Sequence, residues 1–362
     1  MVTRVVFVPV SSSRGRGEYV RCLTLAHSLV EAAPFVQPHF LLSGEAPYRE
    51  SCPFPSTVLP RSPTLSGEST TRALLAQRPD IVVFDNAGRT AHIRAAAASG
   101  AAVVYISSRT RQRRKAFRLH WMRYLSEHWI AQPRFRATDL TLMERLKLRC
   151  VPAPPRVRYL DAILPNREGV ALRGFWDPQR LGPRVLVVPG GGVAHPTAPE
   201  AMWIYGQTAE QLAAAGHRVV QVGGMMPAKP NATSLRALEV VPPATLRMLM
   251  EEADLVVTNG GDTLLQALAL QKPCVAAALA HDQAARLKML ASGVCVTPVA
   301  ADSLTEAAAA LLADRNARRS LQQAASRLAI RDRSRIARTT LLRLMERPLQ
   351  PAPRPTQASL TR

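Results

Sequence analysis

Residues Ala253 to Gln283, ADLVVTNGGDTLLQALALQKPCVAAALAHDQ, constrain the fold of this chain more than any other stretch. The apolar run Leu255 to Thr258 predicts a buried strand, and Asn259-Gly260-Gly261 predicts a tight turn. Asp262 to about Leu270 reads as a helix with Asp262 as its N-cap and Lys272-Pro273 as its stop, and Cys274 to Ala278 reads as a second strand. Such a turn leaves backbone N–H groups unpaired at a helix N-terminus, where an anion such as phosphate is favoured. His281-Asp282-Gln283 then sets polar groups just past the second strand, the edge at which ligands collect in open α/β sheets. An ordinary strand-turn-helix without a ligand has the same pattern, so the stretch needs the rest of the chain for its interpretation.

The remainder repeats the alternation. Val5 to Val10 is a strand, a polar loop runs from Ser11 to Gly17, and a helix extends from Glu18 to about Ala32 with Val20, Leu23 and Val30 near one face. Strand His39 to Ser43 leads into a Pro- and Ser-rich segment through Pro63, followed by helix Thr70 to Gln77. Strand Asp80 to Phe84, helix Thr90 to Ala98, strand Ala102 to Ile106 and a short strand Glu127 to Ala131 complete a first half. A second begins at Arg184 to Val188, runs into Pro189-Gly190-Gly191-Gly192, and continues through helix Pro199 to Ala215, strand Arg218 to Val222 and helix Ala244 to Glu252. Alternating strands and helices imply parallel βαβ units and doubly wound sheets. The expected organisation is a first domain over 1–164, an irregular hinge over 165–183, a second domain over 184–330, a basic helix over 331–347 and a disordered tail over 348–362.

Composition narrows the classes. At 362 residues with 47% hydrophobic content the chain can build two cores, and no apolar run approaches the ~20 residues that span a bilayer. Cys22, Cys52, Cys150, Cys274 and Cys295 are scattered without a C-x-x-C pair, which argues against a zinc site or disulfide framework and suits a reducing cytoplasm. The net charge of +21 attracts phosphates of any kind, whether nucleic acid, anionic lipid or a nucleotide-linked substrate. With 5% aromatic residues and no RNA-recognition or zinc-finger signature, nucleic-acid binding is the weaker reading.

On Gly260, Gly261, Asp262 and Thr263 the chain resembles the donor-binding segment of GT-B glycosyltransferases, above all the lipid II-forming N-acetylglucosaminyltransferase of family 28. The loop Gly15-Arg-Gly17-Glu18-Tyr-Val-Arg21-Cys-Leu-Thr-Leu-Ala26 resembles that of the UDP-sugar hydrolase of pseudaminic acid synthesis. The resemblance implies an α/β GT-B fold, two Rossmann-like doubly wound domains facing a central cleft, the first for acceptor and the second for nucleotide sugar. It places Gln266 where the families carry a ribose-binding Glu, and backbone near Val241 against the nucleobase. It also implies donor contacts from Gly190, Gly191, Gly192, His281, Asp282 and Gln283, and acceptor contacts from Gly15, Gly17, Arg21 and Asn86. Where those families place a reaction-centre His, this chain has Glu18. The resemblance implies an inverting transfer from a UDP-sugar, and because no D-x-D triplet is present no metal is expected, nor any other cofactor.

Two carboxylates compete for the role of general base. Glu18 stands at the start of a helix, where its alternative is plain capping, and Asp85 follows a strand at the sheet edge, where capping is again the alternative. The run from Arg109 to Arg123 has three readings: a solvated helix face, an anionic-membrane patch with Phe117, Trp121 and Leu125 inserted, and RNA binding. Three functional classes therefore stay open, namely a cytoplasmic glycosyltransferase that can sit peripherally on a membrane, a hydrolase of the same UDP-sugar, and a non-catalytic basic binding protein.

Overall fold

The computed structural model describes residues 2–11, 16–135, 138–167, 174–179, 181–190, 199–223, 235–279, 281–291, 296–298 and 303–346. The chain divides into two compact units. One comprises Met1–Ser12, Leu29–Tyr159 and Ile336–Arg362, and the other comprises Ser13–Ser28 and Leu160–Arg335. The first crossing falls within helix α1 (Gly17–Ala32).

The first unit is built on a seven-stranded parallel sheet of β1 (Thr3–Pro9), β2 (Val36–Ser43), β3 (Ser56–Leu59), β4 (Ile81–Asp85), β5 (Ala102–Ser107), β6 (Glu127–Ile130) and β7 (Arg156–Tyr159). The spatial order is β3-β2-β1-β4-β5-β6-β7, so the winding reverses between β1 and β4. β1, β4 and β5 are Val-rich because a parallel strand covered on both faces has no solvent side to supply polar residues. Val6, Val8, Val82, Phe84, Val103 and Tyr105 form one core with Leu74 of α2 (Gly67–Ala76), Ile93 of α3 (Thr90–Ala98) and Trp121. Helices α4 (Thr110–Ala116), α5 (Leu119–Met122) and α6 (Leu142–Arg149) complete the unit's second half.

One expectation is overturned here. Phe117, Trp121 and Leu125 are 1%, 2% and 4% exposed, so they cannot enter a membrane. Trp121 meets Tyr105 edge-on and donates its indole N–H to the Thr90 hydroxyl at 2.8 Å. The basic run is amphipathic because its apolar side packs on the sheet, while Arg109, Arg111, Arg114, Arg118 and Arg123 stay exposed.

The second unit has a six-stranded parallel sheet of β8 (Arg184–Val188), β9 (Arg218–Val222), β10 (Leu235–Leu238), β11 (Leu255–Asn259), β12 (Cys274–Ala277) and β13 (Val296–Pro298). Its order, β10-β9-β8-β11-β12-β13, reverses between β8 and β11 as the first sheet does between β1 and β4. The helices are α7 (Pro199–Ala214), α8 (Pro243–Glu252), α9 (Asp262–Ala269), α10 (His281–Ala291), α11 (Leu304–Ala313) and α12 (Arg315–Leu328). Tyr205 of α7 is fully buried, and its hydroxyl lies between the carbonyl oxygens of Thr258 and Ala277 at 2.9 and 3.0 Å. That contact fixes the spacing of β11 and β12 at their C-terminal ends. Residues 160–164 run beside 331–334, joined by a bridge between Ala162 and Asp332 and by the ion pair of Arg333 with buried Asp161. The last helix, α13 (Ser334–Met345), carries the chain back into the first unit. Among the described residues no helix is long and apolar enough to cross a membrane.

Candidate functional site

The reversal of strand order in the second sheet opens at the ends of β8 and β11, and there the chain has glycine on both sides. Gly190 sits at φ +138°, a conformation L side chains rarely adopt, and a Cβ there would lie 2.7 Å from Asn259 Nδ2. At Gly260 a Cβ would meet Gln283 Cβ at 2.9 Å and its carbonyl oxygen at 3.0 Å. At Gly261 it would meet Asn259 Oδ1 at 2.7 Å.

Asn259 therefore organises the turn. Its Nδ2 donates to the Pro189 carbonyl at 2.7 Å, and its Oδ1 accepts from the Gly261 N–H at 2.8 Å. One side chain thus ties the end of β8 to the start of α9. This corrects the expectation for Asp262: the N-cap is Gly261, and Asp262 is the first helical residue. In the sequence Asn259 stands out only as part of a tight turn, although Asn before Gly at a strand end is a known signal for side-chain bonding to the following backbone.

Freed of capping, the Asp262 carboxylate is held by two arginines. Arg21, expected to contact the acceptor, is 7% exposed and bonds Asp262 Oδ2 through Nη1 at 2.5 Å. Arg286 of α10, a residue the sequence reading did not select, donates to the Gly260 carbonyl at 2.8 Å and lies 3.9 Å from Asp262 Oδ1. Gly17 belongs to the same surroundings, since a Cβ on it would stand 3.5 Å from Asp262 Oδ2. Two guanidinium groups and the positive end of α9 thus converge on a single carboxylate, an arrangement with positive charge to spare.

Other expected donor residues scatter around this turn. Thr263 is partly exposed in the first turn of α9. Gln266 donates through Nε2 to the Ile163 carbonyl at 2.8 Å, so the amide nitrogen is already engaged. Gln283 accepts the Leu279 N–H at 2.9 Å and secures the entry to α10. Val241 is partly buried in the segment between β10 and α8. His281 and Asp282 open α10, with side chains outside the described residues, and Gly15, Gly191 and Gly192 are also outside them.

The candidate bases fall in different units. Glu18 lies in the first turn of α1 and is partly exposed, within the second unit. Asp85 ends β4 in the first unit and is 0% exposed. Burial first, and then the Asp85 carboxylate, push the Tyr105 phenol above its usual range. Asn86, expected to contact acceptor, sits at φ +52° and is 4% exposed. Both ends of its amide meet Ser108: Oδ1 accepts the Ser108 N–H at 2.9 Å, and Nδ2 donates to the Ser108 hydroxyl. Asn86 thus ties the end of β4 to the loop after β5.

No family model matches the sequence, and no curated protein does. Solved structures do. The glycosyltransferase SnogD from Streptomyces nogalater superposes with a TM-score of 0.65 at 19% identity, covering 95% of this chain and 100% of its own. The spinosyn forosaminyltransferase SpnP gives 0.66 at 14% identity with the same coverage. SsfS6 of Streptomyces sp. SF2575, solved with thymidine diphosphate, gives 0.59 at 15% identity over 94% of this chain and 99% of its own. The fold is GT-B. In this GT-B chain each sheet is wound in the same order around a single reversal point, and the second carries the glycine-lined turn.

Proposed function

We propose that this chain is a glycosyltransferase that draws its sugar from a nucleoside diphosphate donor, with the diphosphate seated on the turn between β11 and α9. The observation that carries this reading is the convergence of Arg21 and Arg286 on the N-terminus of α9, beside a turn whose glycines leave the backbone bare. Asp262 occupies the anion position between the two arginines, and a diphosphate there would draw them to itself. Uridine is the base that the family resemblance implies, while SsfS6 and SpnG are each described in complex with thymidine diphosphate. Both nucleotides therefore belong in the first screen.

In the reaction so read, Glu18 takes the proton of an acceptor hydroxyl, whose oxygen bonds to the sugar C1 as the bond from C1 to the diphosphate oxygen breaks. Attack from the face opposite the leaving group inverts the anomeric centre. The leaving diphosphate carries away the bonding pair and is stabilised by the helix terminus and the two arginines, so side chains rather than a metal supply the counter-charge. The partial exposure of Glu18 favours it over the fully buried Asp85 as the base. Gln266 keeps Oε1 for a ribose hydroxyl while Nε2 holds Ile163.

The test is product analysis with UDP- and TDP-sugars, with and without a panel of hydroxyl acceptors. Acceptor-dependent release of nucleoside diphosphate with a glycosylated product supports transfer. Release at the same rate without acceptor, yielding free sugar, would instead assign water as the nucleophile. No turnover and no nucleotide binding would reject both.

A further inference from the structure

At the N-terminus of α9 the three charged groups around Asp262 differ in their freedom to move. The Arg21 side chain is 6% exposed and that of Arg286 is 12% exposed, whereas the Asp262 side chain is 33% exposed. Arg286 is tied down further, because its Nη1 donates to the Gly260 carbonyl at 2.8 Å. The two cations are therefore fixed parts of the turn, and the carboxylate is the group with solvent to move into.

The turn does not need this carboxylate to hold its shape. Gly261 is the N-cap of α9, and its N–H is met by Asn259 Oδ1 at 2.8 Å. Among the described residues the Asp262 carboxylate engages only the two arginines, Arg21 at 2.5 Å and Arg286 at 3.9 Å. A negative charge in the first turn suits the helix dipole, but here it also stands where an incoming anion must sit.

Sugar transfer changes the charge at this place. A sugar-linked diphosphate is esterified at both ends and carries two negative charges. When the bond from C1 to oxygen breaks, that oxygen keeps the bonding pair, and the proton of the acceptor hydroxyl goes to the base. The terminal phosphate is then a dianion above its second pKa of about 6, so the product carries one charge more than the donor. Since α9 fixes the Asp262 backbone, its carboxylate stays beside the diphosphate after ceding the arginines. Two like charges about 4 Å apart are worth roughly fivefold in an equilibrium constant even at the dielectric of water.

From two buried arginines sharing one exposed carboxylate, we infer that Asp262 is an internal counter-anion of the donor site. It yields the arginines to the diphosphate, opposes the product more than the donor, and so speeds product release. This role depends on the diphosphate being seated on the turn as proposed.

The test is calorimetry of the full chain at pH 8 with uridine and thymidine diphosphates and with their β-methyl esters, which carry the donor's two charges without a sugar. The variants are Asp262→Asn, which keeps the size and removes the charge, and Asp262→Glu, which restores it. In Asp262→Asn the free diphosphates should bind at least about fivefold more tightly, with the gain at least about threefold larger than for the esters. Stopped-flow displacement should show the free diphosphates leaving that variant more slowly than the wild type. In Asp262→Glu the ratio of ester to free-diphosphate affinity should return to within about twofold of the wild type. Weaker or unchanged binding in Asp262→Asn, an equal gain for esters and free diphosphates, or an Asp262→Glu that behaves like Asp262→Asn would overturn this role and leave the diphosphate seat standing. Failure of all four probes to bind the wild type and both variants would instead remove the seat itself, and the role with it.

Discussion

The two sheets are wound alike, yet their reversal points are furnished in opposite ways. In the first unit the edge between β1 and β4 is filled by Asp85 at 0% exposure and by Asn86 at 4%, with Asn86 locked onto Ser108 and the Val10 N–H bonded to the Asp85 carbonyl. In the second unit the corresponding edge between β8 and β11 carries Gly190, Gly260 and Gly261, and its polar side chain, Asn259, bonds backbone on both sides. A filled edge fixes loops, whereas a bare one exposes backbone donors to an incoming anion. Topology sets where a ligand can bind, and under the proposed function side-chain volume at the crossover decides which unit seats the diphosphate there.

The largest expected effect separates the two candidate bases. Glu18→Gln should lower turnover by about 10²–10⁴-fold while leaving donor affinity within a few fold, as measured by steady-state kinetics with a nucleotide-sugar donor. Asp85→Asn should act mainly through stability, since the group it alters is closed off in the first unit's edge. The reverse pattern would make the filled edge the reactive one.

A second contrast concerns charge. Arg286→Ala removes the cation that bonds the Gly260 carbonyl, and should weaken nucleoside diphosphate binding by roughly tenfold to a hundredfold, the worth of a charged hydrogen bond. Calorimetry gives the number directly, and an unchanged affinity would detach Arg286 from the donor.

Away from its closed edge, the first unit has a signature in pH at His128 of β6. Burial, then the nearby Arg113 charge, lower the pKa of His128 to about 3, with Glu144 acting weakly in the opposite sense. Between the ordinary histidine value of about 6.5 and that value the unfolded chain binds a proton that the folded chain refuses. Stability from this group is therefore complete above about pH 6.5 and falls as pH drops, by up to about 1.4 kcal/mol per pH unit. Denaturant unfolding from pH 7 to pH 5 should show the slope in the wild type and a shallower one in His128→Gln.

The smallest effect is Gln266→Ala, expected to weaken donor binding by about 1 kcal/mol through loss of one neutral hydrogen bond. Because Gln266 also holds the Ile163 carbonyl, part of the change should appear as lower stability in the same variant.

Much of this was legible in the residues. The Val-rich runs, the Gly-Gly turn and the alternation of periods announced two parallel sheets, because buried parallel strands and bare turns leave strong compositional marks. Strand β3 was hidden in a Pro- and Ser-rich segment, where an edge strand with Ser56 and Val58 exposed has no apolar run to declare it. Helix α6 has no buried apolar face to reveal it in the sequence, and its one local signal is the capping box of Thr141 and Glu144. The amphipathic pattern of Phe117, Trp121 and Leu125 was correct as a pattern, but periodicity does not reveal whether a helix face meets lipid or its own sheet. The pairing of Arg21 with Asp262 joins residues 241 positions apart, and Arg286 reaches the turn from a different helix. Nothing local in the chain encodes either contact.

The account rests on the bare edge of the second unit being a nucleoside diphosphate site, and titration calorimetry with uridine and thymidine diphosphates on wild type and Gly261→Val tests that most directly. A Val at 261 would drive its Cβ into Asn259 Oδ1, which stands 2.7 Å from that position, and so fills and distorts the turn together. The account predicts that the wild type binds at least one of the two nucleotides with a Kd between about 1 μM and 1 mM. It predicts no measurable binding in the variant, with the far-ultraviolet circular dichroism of the fold retained. Absence of binding by the wild type, or equal binding by a folded Gly261→Val, would contradict it.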